Sequence, residues 1–388
     1  MQGQQLIRSM PFSFTGNATE FFKIWIVNVF LSIFTLGIYS AWAKVRTLRY
    51  FYGNTWLDGN SFSYLADPIN ILKGRVIAVL ALVAYFFSWE IFPSLAFWFL
   101  ALGVLLFPAL LVMAMSFQMN NSAYRSIRFS YKKDFRKVYL TFLVPVLVIL
   151  VLTWLGYSII ESLDFWEELD ETEKQALKRE DMLPSVFMFC VLPFLPYLDY
   201  LRTRIIVDHI RYGQSPAQFK GTGWNFYSIY LVAFIVSCGV AILFFFGMVA
   251  VMAMFGLAAG EGEEISEAAL PVIIGFTIIF YGLSFILTAY LRAARTNMIF
   301  QNSFFGEDTF ISRLKTLPIA WIYLSNALAI VFSLGLMIPW AQIRMARYVA
   351  ENTEFESRSL DNVFATEDTK QSAVGEEVGE AFDLDIGL

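Results

Sequence analysis

The chain has 388 residues, of which 57% are apolar and 18% are aromatic, including 40 phenylalanines, and its mean hydropathy is positive. This composition excludes a soluble globular protein and predicts an integral membrane protein. The formal net charge of −5 describes no part of the chain well, because acidic and basic residues are concentrated in different segments.

Stretches of about twenty apolar residues recur along the chain, which is the length an α-helix needs to cross a hydrocarbon core. The sequence therefore predicts an all-α polytopic membrane domain over residues 1–352, with about eight membrane-embedded segments arranged as helical hairpins, internal repeats and small cytoplasmic β-elements. The predicted segments are residues 21–42, 76–92, 94–117, 138–160, 183–201, 226–259, 270–291 and 317–341. Residues 353–388 are rich in acids and predict a disordered tail.

A long repeat joins the two ends of the chain. Residues 35–55 (TLGIYSAWAKVRTLRYFYGNT) return as residues 333–353 (SLGLMIPWAQIRMARYVAENT) at a constant offset without a gap. Each copy follows an apolar helix and has a Leu-Gly break, a tryptophan and two arginines that share a helix face. These residues are Trp42, Arg46 and Arg49 in the first copy and Trp340, Arg344 and Arg347 in the second.

The plainer interpretation of this repeat is a duplicated basic membrane boundary, with tryptophan at the interface and arginine reaching the headgroups. The alternative is an arginine cluster that binds a ligand. We hypothesise that all four arginines meet at one cytoplasmic site about a pseudo-symmetry axis and hold a phosphate, a carboxylate or an anionic lipid. Asn28 and Asn326, within the two terminal apolar segments, are expected to form hydrogen bonds between helices.

Charge patterning predicts the topology. The loops around Arg46, Arg128, Arg211 and Arg313 are basic and are expected in the cytoplasm, whereas those around Glu171 and Glu263 are expected outside. The terminal segments leave two arrangements open. Either both are short hairpins that turn at Leu-Gly and leave the chain ends in the cytoplasm, or eight single crossings place both ends outside. The first satisfies the repeat and the charge rule together.

The inner loops carry further local signals. Residues 56–64 (WLDGNSFSY) combine a hairpin dipeptide with an alternating pattern and predict a small β-element. A second repeat, seen in FTGNATEFFK, FSYKKDFRK, YGQSPAQFK and FFGEDTFISRLK, contains helix-start signals and predicts short interfacial helices. Pro193 and Pro196 should bend segment 183–201. Segment 226–259 exceeds the membrane core and is expected to tilt, protrude or break near Gly247.

The sequence contains no P-loop, Rossmann glycine pattern, zinc-protease motif or nucleophile elbow, so no enzymatic activity and no cofactor are predicted. The single histidine, His209, lies in a polar inner loop and is expected to be solvated or interfacial. Two ionisable residues at membrane depth are candidate functional groups because burying them is costly. Asp199 is expected to pair with Arg202 three residues later, and Glu90 is expected to reach water at the outer turn.

The run EFFKIWIVNVFLSIFTLGIYSAWAKVRTLRYFYGNTWLDG, with PINILKGR at residues 68–75, resembles the YjgN family of bacterial inner-membrane proteins. The part WAKVR followed by RYFYGNT is the most specific. The second copy departs from it, with Gln342 at the position of Lys44 and Glu351 at that of Gly53. The family is functionally uncharacterised, so the resemblance implies a multi-pass location in the inner membrane and no particular activity.

Two function hypotheses follow. Repeats and bent helices favour transport or permeation of an unidentified solute. The alternative is a scaffold, sensor or envelope-assembly factor whose cytoplasmic aromatic and basic loops bind a partner or anionic lipid. The expected partners are anionic lipid headgroups on the cytoplasmic face, with no nucleic acid, and the oligomeric state is left open.

Overall fold

The computed structural model describes residues 8–162, 179–254 and 269–357. The helices in this part of the chain are α1 (Ala18–Phe34), α2 (Ser40–Gly53), α3 (Pro68–Ile91), α4 (Pro93–Asn120), α5 (Phe135–Glu161), α6 (Arg179–Val191), α7 (Leu195–His209), α8 (Gly223–Met254), α9 (Ala269–Gln301), α10 (Thr316–Phe332) and α11 (Ile338–Glu351). The strands are β1 (Arg8–Phe14), β2 (Thr55–Leu57), β3 (Asn60–Tyr64), β4 (Ser122–Tyr124), β5 (Ile127–Tyr131), β6 (Ile210–Tyr212), β7 (Ser215–Phe219), β8 (Ser303–Phe305), β9 (Asp308–Ser312) and β10 (Thr353–Ser357).

Within the described residues, six helical stretches are long and apolar enough to cross a membrane: α3, α4, α5, the run from α6 through α7, α8 and α9. A turn of 3₁₀ helix at Leu192–Phe194 joins α6 to α7, at the proline-containing position where a bend is expected. Helix α8 continues through Gly247, so a break there is not observed. A Cβ atom on Gly247 would collide with the ring of Phe276 on α9, which shows that this glycine permits close helix packing.

The ten strands form one closed antiparallel barrel in the order β1-β10-β9-β8-β7-β6-β5-β4-β3-β2. Four hairpins, each inserted between two helices, have two-residue turns whose first residue has a positive φ angle, the geometry that matches the twist of paired strands. The fifth pair joins the two ends of the chain: Arg8 lies opposite Ser357, and Met10 opposite Phe355. A closed barrel leaves no unpaired strand edge.

The predicted fold class, an all-α membrane domain with about eight embedded segments, is therefore wrong. The described chain has six membrane-length helices and one closed barrel. The strands inserted between helices have only three or five residues, so each alternating pattern is too short to indicate a barrel. The interfacial helices predicted from the second loop repeat are also wrong, since FSYKKDFRK begins in β5 and YGQSPAQFK contains β7.

The predicted tail boundary is also too early, because Thr353–Ser357 form β10. Strand β10 lies between β1 and β9 and is needed for closure. Residues 358–388 and the acidic loops around Glu171 and Glu263 lie outside the described residues.

The terminal apolar segments are short hairpins, α1–α2 and α10–α11, that turn at Leu36-Gly37 and Leu334-Gly335. Helices α1 and α10 have 17 residues each, or about 25 Å of helix, which is less than a membrane core of about 30 Å. Each hairpin begins and ends beside a barrel strand. The structure thus agrees with the arrangement that leaves both chain ends on one side.

The tips of these hairpins suit an apolar environment. Leu36 and Gly37 have φ angles of 49° and 89°, and Leu334 and Gly335 have 51° and 91°. The Gly37 N–H donates to Ser32 O at 2.7 Å, and the Gly335 N–H donates to Ile330 O at 2.8 Å. Backbone groups in hydrocarbon must be paired within the protein, and the two tip leucines are 95% and 94% exposed. We therefore expect both tips to enter the bilayer.

Barrel closure can be tested by joining its first and last strands. Ser9 and Glu356 are directly paired across β1 and β10, and paired residues on antiparallel strands lie within about 4.5–5.5 Å, a separation that a disulfide can bridge. With Cys190 and Cys238 replaced by serine, we expect Ser9→Cys, Glu356→Cys protein to form an intramolecular disulfide on mild oxidation, measured by protection from a maleimide mass tag.

The control pairs Ser9→Cys with Gln218→Cys, an exposed position on the distant strand β7. Equal tagging of the two oxidised pairs would contradict closure through β1 and β10.

Candidate functional site

The same junction connects helix to strand in four of the five barrel units. An asparagine Nδ2 donates to the carbonyl four residues earlier at 2.8 Å, and the next residue, serine or threonine, donates its hydroxyl to the carbonyl four residues before it at 2.7–2.8 Å. The pairs are Asn54-Thr55, Asn121-Ser122, Asn302-Ser303 and Asn352-Thr353. The asparagine adds a second donor to a carbonyl that, in the first three pairs, already accepts the asparagine's own backbone N–H. The hydroxyl binds the next carbonyl along, one of those that a helix end leaves without a helical partner.

The fifth junction contains His209 and Ile210. The His209 Nδ1 atom lies 2.7 Å from the Ile205 carbonyl oxygen, again four residues earlier, so histidine occupies the asparagine position. His209 is 4% exposed and its ring lies 5.8 Å from that of Tyr131. His209 is thus not solvated, because its side chain is buried where α7 ends beside the barrel.

Mostly aromatic side chains line the interior of the barrel in two layers. The layer near the turns consists of Leu57, Tyr124, Tyr212, Phe305 and Phe355. The second layer comes from the middle of alternate strands and consists of Phe12, Phe62, Phe129, Ala217 and Phe310. Phe12 lies 6.1 Å from Phe62 and 6.3 Å from Phe310 between ring centroids. Ala217 is the only residue of the second layer without a ring.

A cavity of about 460 Å³ lies between these layers and the ends of the helices that lead into the barrel. We call this cavity the barrel chamber. Its wall on the helix side is formed by Phe51, Tyr52, Met119, Val207, Ile299 and Phe300, and its wall on the barrel side includes the second layer with Ala217. The chamber is thus an apolar space placed where the membrane helices meet the barrel.

The polar atoms of the chamber wall already have partners. The Tyr124 hydroxyl donates to Leu57 O at 2.7 Å, and the Tyr212 hydroxyl donates to Tyr124 O at 2.9 Å. Burial raises the pKa of the Tyr212 phenol, and the neighbouring Tyr124 raises it further. Burial likewise raises the pKa of Tyr124. Both phenols are therefore neutral at physiological pH, and the chamber offers no charge to a ligand.

The predicted ionisable residues have other roles. Asp199 accepts two hydrogen bonds from Arg295 on α9, at 2.7 and 2.8 Å, and one from the Tyr230 hydroxyl on α8 at 3.2 Å. The predicted partner, Arg202, is half-buried one turn further along α7. An ion pair that the sequence did not predict thus joins three helices. Sequence spacing could not reveal it, because Arg295 lies 96 residues away. Glu90 is exposed at the end of α3.

The four repeated arginines bind separate partners. Arg46 donates to Tyr39 Oη at 2.9 Å and Asn28 Oδ1 at 3.3 Å, and Arg344 donates to Ser325 and Asn326. Asn28 and Asn326 are thus equivalent residues that position equivalent arginines within each hairpin, which agrees with the hydrogen-bonding role expected of them.

The other two arginines contact the loops that follow barrel strands. Arg49 donates to the carbonyls of Tyr64 and Ala66, whereas Arg347 donates to that of Gly16 in the loop between β1 and α1. These contacts do not bring the four arginines to one site. Trp42 stacks on Tyr39 with a centroid distance of 6.1 Å, and Trp340 lies 5.2 Å from the Arg344 guanidinium carbon.

The family model described as bacterial protein of unknown function (DUF898) matches residues 9–381. The chain belongs to the DUF898 family. It is 24% identical over 384 residues to Inner membrane protein YjgN of Salmonella typhimurium (strain LT2), which covers 92% of this chain and 91% of the relative. Proteins of the same name from Escherichia coli O157:H7 and K12 are 32% and 31% identical over 150 residues, 37% of this chain and 36% of each relative. No solved structure shows significant similarity.

These relatives confirm the resemblance seen in the sequence. Together with the six membrane-length helices, they identify this DUF898 member as a multi-pass protein of the bacterial inner membrane. The family description supplies no activity.

The Asp199–Arg295 pair should be important for stability. The Asp199 side chain is 11% exposed and that of Arg295 is 22% exposed. Removing one member of a buried pair costs about 3 kcal/mol, because the other charge is left without its partner. We expect Arg295→Gln to lower the thermal stability of the detergent-purified protein strongly, and Asp199→Asn with Arg295→Gln to recover part of the loss.

Arg204→Gln is the matched control, because Arg204 and Asp208 form a more exposed pair on α7, the helix that carries Asp199. An exposed ion pair contributes less than about 1 kcal/mol to the free energy of unfolding. Similar losses from Arg204→Gln and Arg295→Gln would contradict the proposed importance of the buried pair.

The equivalence of His209 to the junction asparagines makes a second prediction. His209→Asn should keep the protein folded with near-normal stability, because asparagine makes the same bond in the other four units. His209→Leu should lose about 1 kcal/mol or more, since the Ile205 carbonyl loses its side-chain partner. Thermal unfolding of both variants measures the difference, and a leucine variant more stable than the asparagine variant would refute the equivalence.

Proposed function

We propose that this DUF898 member is a lipid-binding protein of the inner membrane, and that the barrel chamber holds the hydrocarbon chain of a fatty acid or a membrane lipid. The observation that carries the proposal is an apolar cavity of about 460 Å³ at the ends of the membrane helices. Its volume is within the range of about 300–1,000 Å³ that small-molecule sites occupy.

Water is a poor occupant of the chamber. A buried water needs two to four polar partners, but the hydroxyls of Thr55, Ser122 and Ser303 donate to helix carbonyls, and those of Tyr124 and Tyr212 donate to strand carbonyls. An aliphatic chain needs no partners of this kind and gains free energy by leaving water. The chemistry of the wall therefore selects an apolar ligand.

An unfilled chamber also leaves the rings and methyl groups of its wall without contacts on one side. An aliphatic chain that enters the chamber supplies those contacts. Acyl chains are abundant beside the helices that lead into it.

The alanine at position 217 keeps the chamber open, which supports its use as a binding site. Its four equivalents in the second layer are phenylalanines, and a ring at position 217 would fill part of the chamber. The same unit carries Ile210 in place of the serine or threonine of the other junctions, which makes the wall more apolar. One unit of the barrel thus departs from the pattern in the direction that an acyl chain requires.

Of the two function hypotheses drawn from the sequence, this proposal extends the one of a scaffold or sensor that binds lipid. It does not extend the hypothesis of solute permeation. A polar solute needs polar groups along its path, and Asp199 is engaged by Arg295 and Tyr230. Among the described residues, the chamber wall contains no Asp, Glu, Lys, Arg or His.

The proposal is tested by photo-crosslinking in nanodiscs of phosphatidylethanolamine and phosphatidylglycerol. A trace of fatty acid or phospholipid with a diazirine near the chain end is added, and crosslinked peptides are mapped by mass spectrometry. We expect labels on peptides that contain Phe129, Ala217 or Phe310. Ala217→Phe should abolish these labels and leave those on the outer faces of α3 and α8 unchanged.

Gln218→Phe is the matched control, because it adds the same ring to the exposed neighbour of Ala217. Filling a cavity should preserve or raise thermal stability, which shows that the variant is folded, and Ala217→Leu gives a smaller replacement. The result would argue against a chain in the chamber if the wild-type barrel is unlabelled or if Ala217→Phe is labelled like Gln218→Phe. Labelling by only one of the two photoprobes would distinguish free fatty acid from phospholipid.

A further inference from the structure

A second pocket, of about 570 Å³, lies where the two terminal hairpins meet. We call it the hairpin junction. Helix α11 contributes Trp340, Arg344, Arg347 and Glu351, and the beginning of α1 contributes Asn17. This pocket is separate from the barrel chamber, since the two share no lining residue.

Both arginines of the junction retain donors for a ligand. Arg344 uses Nη1 for Ser325 and Asn326, and Arg347 uses Nη2 for the Gly16 carbonyl. A guanidinium has five N–H donors. Among the described residues, neither arginine has a carboxylate within salt-bridge distance. Two positive charges thus face one pocket with much of their hydrogen-bonding capacity unused.

The surroundings favour an anion at the membrane interface. Trp340 lies beside the Arg344 guanidinium, and Trp321, which also lines the pocket, is 63% exposed. Tryptophan is enriched at headgroup depth. Asn17 caps α1 by accepting from the Thr19 N–H at 2.8 Å, so the positive end of that helix dipole lies at the pocket. Glu351 is the one carboxylate of the lining in the part of the chain that the structure describes.

The first hairpin provides an internal comparison. Arg49 corresponds to Arg347 but uses both Nε and Nη2 on the carbonyls of Tyr64 and Ala66. The helix that begins beside it, α3, is capped by Asp67, whose carboxylate accepts from the Ile69 N–H. A negative cap thus stands where the hairpin junction has the neutral Asn17. The arginines of the second hairpin therefore lie beside a neutral helix cap, whereas those of the first lie beside a negatively charged one.

We infer that the hairpin junction binds the phosphate of an anionic lipid headgroup through Arg344 and Arg347. Two guanidinium groups match the oxygens of a phosphodiester, and the adjacent tryptophans place the site at the level where such headgroups lie. Glu351 opposes the bound charge and limits its affinity. The site stands independently of the chain proposed for the barrel chamber.

The test is titration of delipidated, detergent-solubilised protein with phosphatidylglycerol, followed by native mass spectrometry, with phosphatidylcholine as the comparison lipid. We expect preferential binding of phosphatidylglycerol. Arg344→Gln and Arg347→Gln should each weaken it about tenfold, the effect of losing one charge-assisted hydrogen bond. Glu351→Gln should strengthen it several-fold, an effect that simple loss of structure would not produce.

Arg46→Gln is the matched control, because Arg46 is the sequence equivalent of Arg344 and makes the equivalent bond to Asn28. It should bind within about twofold of wild type, well inside the tenfold effect expected for one charge-assisted bond. Arg344→Gln keeps the test valid if Arg347→Gln disturbs the Gly16 contact and fails to fold.

Three results would overturn the inference. The first is an equal loss of affinity in Arg46→Gln and Arg344→Gln, and the second is equal binding of the two lipids by wild type. In the third, inorganic phosphate binds the lipid-free protein and displaces phosphatidylglycerol at that same concentration. The site would then belong to free phosphate and not to a lipid headgroup. None of these readouts depends on labelling inside the chamber. The titration is run on the Ala217→Phe protein as well as on wild type, because lipid held in the chamber would otherwise add to the bound lipid that is counted.

Discussion

The pairing of β1 with β10 is the constraint on which the rest of the structure depends. These strands hydrogen-bond to each other and, on their other edges, to β2 and β9. The two ends of the chain must therefore lie on the side of the membrane where the internal hairpins lie. A terminal segment that crossed once would carry its strand to the opposite side and leave the barrel open. Closure thus requires that both terminal segments turn within the membrane and return.

The barrel is built from one junction used five times, with the chain ends forming the fifth unit. In each unit, the side chain at the end of the incoming helix forms a hydrogen bond with the carbonyl four residues earlier, and the strand begins at the next residue. This repetition makes the departures informative. His209, Ile210 and Ala217 all belong to the same unit, and that unit has the smallest side chain in the second aromatic layer. The asymmetry of one hairpin, rather than the pseudo-symmetry of the five, shapes the barrel chamber.

The duplicated terminal hairpins show that similar sequences can pack against different neighbours. Asn28 with Arg46 and Asn326 with Arg344 are equivalent to the level of single hydrogen bonds. Their neighbours differ, because the first hairpin is followed by α3 with its Asp67 cap and the second packs against α1 with its Asn17 cap. The cap of the adjoining helix thus carries a negative charge at the first hairpin and none at the second, where Arg344 and Arg347 line a pocket.

The sequence by itself determined the membrane class, the apolar segments, the Leu-Gly breaks, the duplicated arginines and the family, because each depends on composition or on residues close together in the chain. It also placed one hairpin correctly, at residues 56–64, where Asp58-Gly59 has the required turn chemistry. Only the tertiary structure decided that this hairpin is part of a closed barrel, that Asp199 pairs with Arg295, and that the four arginines separate into different sites. Strands of three to five residues carry too little pattern to specify their partners, and the pairing of β1 with β10 joins residues from opposite ends of the chain. Those contacts exist only after the helices have brought all five hairpins together.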